Sequence, residues 1–347
     1  YNALDGTGTN DQTGTIAIGH EALTALVSGE RNLAIGYEAL KTVNGAEEDN
    51  IAIGYKALQL MEGDACDDNT AVGSYVMSAI TDAGVHSCVA IGYNALVGHS
   101  TTSGDGTIAI GASALTALRT GAGNTAIGYT ALSTADGAES DNTAIGYNVM
   151  GSANADTTAG NVAIGHNALT GGTGALVSNI AIGKNALNST GGTAHENSVA
   201  IGDGVMTGSG LTAAANGTVA IGYTALTALT DGAGNTAVGY QAGNVLTTGA
   251  ENTIIGYDCD VASNDNTNNI IIGNNLTGTD KDNAVFIGND TNHIENDFNT
   301  DATWNYSSDI RQKKDIKDDI LGLSFIKDLR PVTYKHKSPS EFPEEWT

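Results

Sequence analysis

The sequence predicts an all-β protein, a parallel solenoid of about 16 coils whose copies pack as a homotrimer, followed by a small α+β C-terminal segment. Three observations predict this. First, a phrase written cleanly as Asn-Thr-Ala-Ile-Gly-Tyr-x-Ala-Leu at Asn124 to Leu132 recurs along the chain. Its glycine falls at positions 19, 36, 54, 73, 92, 111, 128, 146, 165, 183, 202, 222, 239, 256, 273 and 288, in steps of 15 to 20 residues. A short fixed period is the mark of stacked repeats, in which each unit buries itself only against its neighbours. Second, residues around that glycine alternate with a period of two, as strands do. Third, a chain of 347 residues with 46 Gly, 3 Pro and 4 Phe has few large side chains for one thick core. A solenoid grows in length instead.

Counting from the repeat glycine as slot zero, each element can be justified in turn. Slot −3 is mostly β-branched (Ile16, Ile51, Thr70, Val89, Thr125, Val162, Ile180), and slot −1 is nearly always Ile or Val. Slot −2 is mostly Ala. A strand of about five residues is expected there, with branched side chains on one face and very small ones on the other. The small face lets another backbone approach closely. Packing three rods small face to small face would cover it, hence the homotrimer. Slots +3 and +4 are Ala-Leu in most coils and become Val-Met together at Val76-Met77, Val149-Met150 and Val205-Met206, which suggests one packed layer. Slot +1 is Tyr in eight coils and His at His20 and His166, a predicted ladder at strand spacing of about 4.8 Å. Asn holds slot −4 in ten coils, where each can bond the Asn above and below. The rest of each period is polar and Gly-rich and is expected to turn.

Charge and cysteine usage narrow the function classes. Lys plus Arg is 14 against 39 Asp plus Glu, a net charge of −25. That argues against nucleic acid, whose affinity rests on cations neutralising phosphates, and against docking on an anionic membrane. Three scattered cysteines, Cys66, Cys88 and Cys259, form no CxxC and support neither a disulfide framework nor a zinc site. Acidic turns (Glu47-Glu48-Asp49, Asp67-Asp68, Glu139 with Asp141, Glu251) are expected to be solvated rather than to hold calcium. No cofactor and no metal are expected. Gly-rich turns such as Gly171-Gly172-Thr173-Gly174 lack the Gly-Lys-Ser/Thr ending of a phosphate loop. No apolar run is long enough to span a bilayer, so no membrane insertion is expected. The chain opens mid-repeat at Tyr1-Asn2-Ala3-Leu4, so further residues are expected before it.

Phrases such as Asn197-Ser198-Val199-Ala200-Ile201-Gly202 resemble the head repeat of trimeric autotransporter adhesins of the YadA type, and similar wording occurs in phage tail fibres. The resemblance runs from Tyr1 to Gly288. It implies a left-handed parallel β-roll assembled as a trimer, here with a longer period and larger outer turns.

After residues 289–306, expected as an acidic linker or neck, composition flips. Eight of the chain's 14 Lys and Arg lie between Arg311 and Lys337. Ile316, Ile320, Leu323 and Leu329 predict an amphipathic helix ended by Pro331, with a strand at Val332-Thr333-Tyr334. The blocks Ser308-Asp309-Ile310-Arg311-Gln312-Lys313, Leu321-Gly322-Leu323 and Leu329-Arg330-Pro331-Val332-Thr333-Tyr334 resemble the start of the peptidase S74 family, the intramolecular chaperones that end phage tail fibres and spikes. Residues 307–347 would be the incomplete beginning of such a domain. The resemblance implies trimerisation followed by single-turnover self-cleavage beside Ser308. Ser308 would be the nucleophile, Lys313 the base that takes its proton, and Asp309 and Arg311 supporting partners. A serine needs such a base, and a lysine supplies one once burial lowers its pKa.

These readings together predict a structural, adhesive fibre or spike of a phage-type virion. It would be extracellular and partnered by itself, by other tail proteins and by a host receptor, glycan or surface protein. Three rivals stand beside it, one of them a purely passive surface fibre with no receptor. A cell-anchored bacterial adhesin would need a coiled-coil stalk and membrane barrel, which the tail does not spell. A polysaccharide-degrading spike would need paired carboxylates facing a common groove, and no carboxylate pair breaks the repeat register.

Overall fold

The computed structural model describes residues 2–5, 12–26, 28–43, 46–61, 66–80, 84–98, 105–153, 155, 157–172, 174–188, 190–208, 210–299 and 305–306. The chain divides into two units, Tyr1–Ser307 and Ser308–Thr347. Only the first is described.

That unit is an all-β parallel solenoid. Short strands from Ile16–Ile18 to Ala284–Asn289 pair in chain order, each parallel to the next, with repeat slot facing repeat slot. Ala126, for example, lies between Ala109 and Ala144. The rungs make about 14 turns, fewer than the 16 glycines suggested. Rungs outnumber the turns between them, and the last one hairpins back instead of coiling. Most rungs are three residues, not the five expected. The glycine ends them with a left-handed backbone: Gly128 has φ +135°. Only the final rungs, Thr253–Tyr257, Ile270–Asn274 and Ala284–Asn289, are longer. Short second ladders flank the main one at Thr42–Val43, Leu60–Met61 and Ala79–Ile80, and at Leu176–Val177 with His195–Glu196.

The slot-zero glycine is enforced by distance. A Cβ on Gly128 would sit 2.1 Å from the carbonyl oxygen of Gly146 in the next coil. No side chain fits, so the coils approach here by their backbones. Corners in most coils use left-handed residues at slots −5, +2 and +4, such as Asp141 (φ +57°), Asn148 (φ +51°) and Met150 (φ +49°). That conformation costs a non-glycine residue roughly 1–2 kcal/mol. It persists because the stacked neighbours fix it: the Met150 N–H donates to Ala168 O at 3.1 Å and the Asn148 N–H to Tyr129 O at 3.0 Å.

Burial corrects the facial assignment. The slot −2 alanines, Ala34 through Ala237, are fully buried. The branched residues at slots −3 and −1 point outward and are half-buried or exposed, as in Thr143, Ala144 and Ile145. The small face is therefore the lining of the rod, not its contact surface. A coil of 15 to 20 residues encloses too little space for Ile and Leu from opposing walls, and the slot −2 Ala shares its core with the Leu or Met of slot +4. Slots +3 and +4 form one buried layer, as predicted (Ala131-Leu132, Val149-Met150). A further core column lies at slot +7, in Leu26, Val43, Met61, Ile80, Leu118, Leu229 and Leu246. At the C-terminal end slot −2 enlarges to Ile254, Ile271 and Phe286, all buried. Instead of a plain linker, His293–Asp297 follows as a strand antiparallel to the last rung, and Asn305–Tyr306 pairs with it.

Candidate functional site

Three features of the rod could carry function: its outward sheet face, the aromatic column beside it and the buried polar column that holds the rungs in register. The polar column comes first because it fixes the other two. All ten slot −4 asparagines are buried. At Asn142 the side-chain amide donates to Asn124 Oδ1 and to Thr158 O, both at 3.1 Å. Its Oδ1 accepts from the Asn161 N–H at 3.1 Å and from Asn161 Nδ2 at 2.9 Å. Buried polar groups must be partnered, and here each asparagine partners the next coil. The column breaks where Asn is replaced. Cys88 and Thr107 interrupt it once, Ser198 and Thr218 again. Burial pushes the Cys88 thiol up to about 11, which suits a packing role.

The aromatic column runs along slot +1. His20, Tyr37 and Tyr55 stack with centroids 5.0 and 5.2 Å apart. Tyr129, Tyr147 and His166 stack at 5.5 and 5.0 Å. Tyr223, Tyr240 and Tyr257 stack at 5.3 and 5.0 Å. Both histidines are thus ladder members, as the sequence indicated. Tyr75, one slot later, meets Tyr55 and Tyr93 edge-on. The tyrosines remain substantially exposed, so slots −3, −1 and +1 together present an apolar and aromatic band to solvent.

Charged groups cluster elsewhere on the rod. Glu38 is nearly buried and is approached by Lys41 at 3.1 Å and Lys56 at 3.5 Å, while Lys41 also reaches Glu21 at 2.6 Å. Burial pushes the Glu38 carboxyl up, but its lysine and Tyr37 partners outweigh that and hold it below the usual carboxylate range. Arg31 bridges Glu30, Glu48 and Asp49 on the surface. The expectation of solvated acidic turns fails at Glu47 and Glu139, both fully buried; a carboxylate oxygen of Glu139 accepts the Gly137 N–H at 3.0 Å. Near the C-terminal end, burial raises the Asp260 carboxyl to about 6, although it accepts the Val245 and Val261 N–H groups. Asp258, Asp260, Asn275 and Asp290 line a shallow cleft there. Among the described residues no cluster of three or more His, Cys, Asp or Glu is placed to hold a metal. Among them, too, no helix is long and apolar enough to cross a membrane.

Ser308, Asp309, Arg311 and Lys313, the expected self-cleavage residues, lie outside the described residues, as do the expected tail helix and strand. The exposed branched face was missed as a surface, although its signal, Ile or Val at slot −1 of every coil, stood in the sequence. Compared with known proteins, the chain matches no family model, no curated protein and no solved structure. Geometry therefore defines the class: an all-β parallel solenoid with an outward apolar band.

Proposed function

We propose that this chain is the shaft of a homotrimeric attachment fibre or spike of a phage-type virion, with a C-terminal self-cleaving chaperone that drives its assembly. The observation that carries the reading is the outward branched face. Ile18 is 58% exposed, and the ladder continues through every rung to Ile287 at 40%. Apolar bands of this length mark interaction surfaces. Covering one half-exposed Ile or Val yields about 0.5–1 kcal/mol. Over the slot −1 ladder alone this gives roughly 8–16 kcal/mol per chain, or roughly 24–48 for three chains. Joining three chains costs two losses of about 4–15 kcal/mol each. The branched face, without the slot +1 aromatic column beside it, can therefore sustain an assembly of identical rods, and three-fold packing around it follows from the adhesin-type repeat wording. Long rods with such a seam suit attachment at a distance, with a host receptor met along the outer surface.

Sedimentation of the intact protein tests this. The expected mass is three chains. The triple variant Ile127→Ser, Ile145→Ser, Ile164→Ser should sediment as one chain with its β-sheet spectrum kept. A wild-type protein that sediments as a single chain would refute the assembly. For the tail, Ser308→Ala in the full-length protein should abolish cleavage beside residue 308, read by mass spectrometry, while trimers still form. Unchanged cleavage would reject the Ser308–Lys313 pair.

A further inference from the structure

At slot +1 the aromatic ladder has two gaps a single rung deep, Ser74 and Ala112; Tyr75 bridges the first edge-on, and among the described residues no ring contact bridges the second. At slot +1 the coil of Gly111 carries Ala112, between Tyr93 below and Tyr129 above. The three rungs are in register: the Ser113 N–H donates to Tyr93 O at 2.9 Å and the Thr130 N–H to Ala112 O at 3.1 Å. Tyr93 and Tyr129 are 55% and 54% exposed, close to Tyr147 inside a continuous stack at 52%. Ala112 thus leaves a notch flanked along the slot +1 column by two tyrosines, with only a methyl group between them.

We propose that the notch binds one pyranose ring of a neutral saccharide. This rests on the attachment reading and names the chemistry of its receptor. Two features select that occupant. The first is thickness. Two rungs separate Tyr93 from Tyr129, about 9.6 Å. A flat aromatic ring in van der Waals contact with both walls needs only about 7–8 Å, so it would touch one wall and miss the other. A puckered ring with axial C–H groups on both faces fills the wider gap, and its polarised hydrogens meet the negative faces of the tyrosine rings. The second is the surrounding chemistry. The adjoining slot +2 column places Asn94, Ser113 and Thr130 beside the notch, uncharged groups able to exchange hydrogen bonds with sugar hydroxyls. That column is charged only toward its ends, at Glu21, Glu38 and Lys56 and at Asp258 and Asp290, and is uncharged from Asn94 to Gln241, so no ionic group competes with a neutral ligand at the notch. The longer interruption, between His166 and Tyr223, spans two coils and holds Lys184 and Asp203, so it offers neither the width nor the apolar floor.

Saturation-transfer NMR on the intact protein tests the notch. The probes are three neutral trisaccharides built of glucose, galactose or N-acetylglucosamine, with a tryptophan-containing tripeptide alongside. At least one trisaccharide should receive saturation at its axial ring protons. Ala112→Tyr inserts the residue this slot carries in eight other coils. It should therefore keep or raise the melting temperature while weakening saccharide binding at least tenfold. Tyr129→Ala should weaken it similarly. Binding unchanged in Ala112→Tyr, or no transfer to any trisaccharide, overturns the proposal; so does binding of the tripeptide alone. None of these results alters the sedimentation test, so a trimer that ignores all three sugars refutes the notch and leaves the fibre standing.

Discussion

Asn142→Ala tests whether the buried amide column holds the rungs together. Asn142 is fully buried and has a coil on either side. Removing its side chain deprives the Asn161 N–H of its acceptor at 3.1 Å and breaks the 2.9 Å bond from Asn161 Nδ2. Other groups are spared. Asn161 Nδ2 still reaches Leu176 O at 2.7 Å, and Thr158 O still accepts the Ser140 N–H at 3.2 Å. One buried donor is orphaned, at about 1–3 kcal/mol, and three further bonds are lost at roughly 0.5–1.5 kcal/mol each, partly offset by relaxation and by the partners' remaining bonds. A net loss of about 2–4 kcal/mol is expected. Asn142→Asp keeps the shape but replaces a donor by a second acceptor facing Thr158 O and Asn124 Oδ1. It should cost more at pH 7, where a charge is buried, and recover part of the loss near pH 4, where the acid can donate. Urea unfolding followed by circular dichroism measures both, with hydrogen exchange at the Asn161 amide as the local reporter. Asn148→Ala is the comparison, because Asn148 also bonds an asparagine one coil on, Asn167 at 3.0 Å, but only half-buried. If Asn142→Ala costs no more than Asn148→Ala, the column contributes nothing beyond surface pairing.

Other perturbations follow from the same stacking. Gly128→Ala should cost more than about 3 kcal/mol, because its methyl would lie 2.1 Å from Gly146 O at a φ of +135°; soluble yield and the melting temperature read this out, and a near-wild-type melt would discredit the close approach. Thr107→Asn should stabilise by about 1 kcal/mol, because Thr107 is buried in the asparagine slot with its hydroxyl unpartnered and Asn124 follows one coil later; a lower melting temperature would contradict it. Two buried groups should tilt the pH dependence in opposite directions. Burial lowers the His195 imidazole, so its contribution is present above the unfolded value near 6.5 and is lost as pH falls below it. Burial raises Asp260 to about 6 from 3.8, so its contribution is full below 3.8 and is lost as pH rises through about 6. His195→Leu, matching Leu176 in the paired strand, should flatten the acid loss, and Asp260→Asn should remove the acid gain. Urea midpoints at pH 5 and pH 7.5 that shift equally for both variants would show that neither group titrates on unfolding.

Much of this fold is legible in the residues because each coil repeats the same local problem. The glycine marks a backbone contact that no side chain survives, the asparagine marks a corner whose amide must be shared, and Ala-Leu marks a layer that changes as a pair. What periodicity could not give is which face looks inward. A period of two separates Ala144 from Thr143 and Ile145, but it is symmetric between the two outcomes. The decision belongs to coil size, which emerges only when the turns close. The slot +7 column, from Leu26 to Leu246, was obscured by turns whose length varies from coil to coil. Glu47 and Glu139 looked like solvent-facing turn acids because nothing in a Gly-rich acidic turn distinguishes the residue aimed at the core. The tail is a different case: its motif was readable by resemblance, while its geometry lies outside the described residues.

The inward alanine changes what assembly has to do. Had Ala formed the outer face, each rod would lack a filled interior, and chain separation would unfold it. With Ala126, Leu132 and Asn142 all buried within one chain, each rod holds its own core and its own hydrogen-bonded register. Covering Ile127 and Ile145 then adds to a structure that already exists. The serine variants of those residues should therefore yield a folded single chain rather than an unfolded one. Their melting temperature should fall as protein is diluted in the wild type and stay constant in the variant, because only the wild type couples folding to association. A variant that loses its β-sheet spectrum on separation would mean that the single rod cannot stand by itself. The outward band would then be part of the folding core after all.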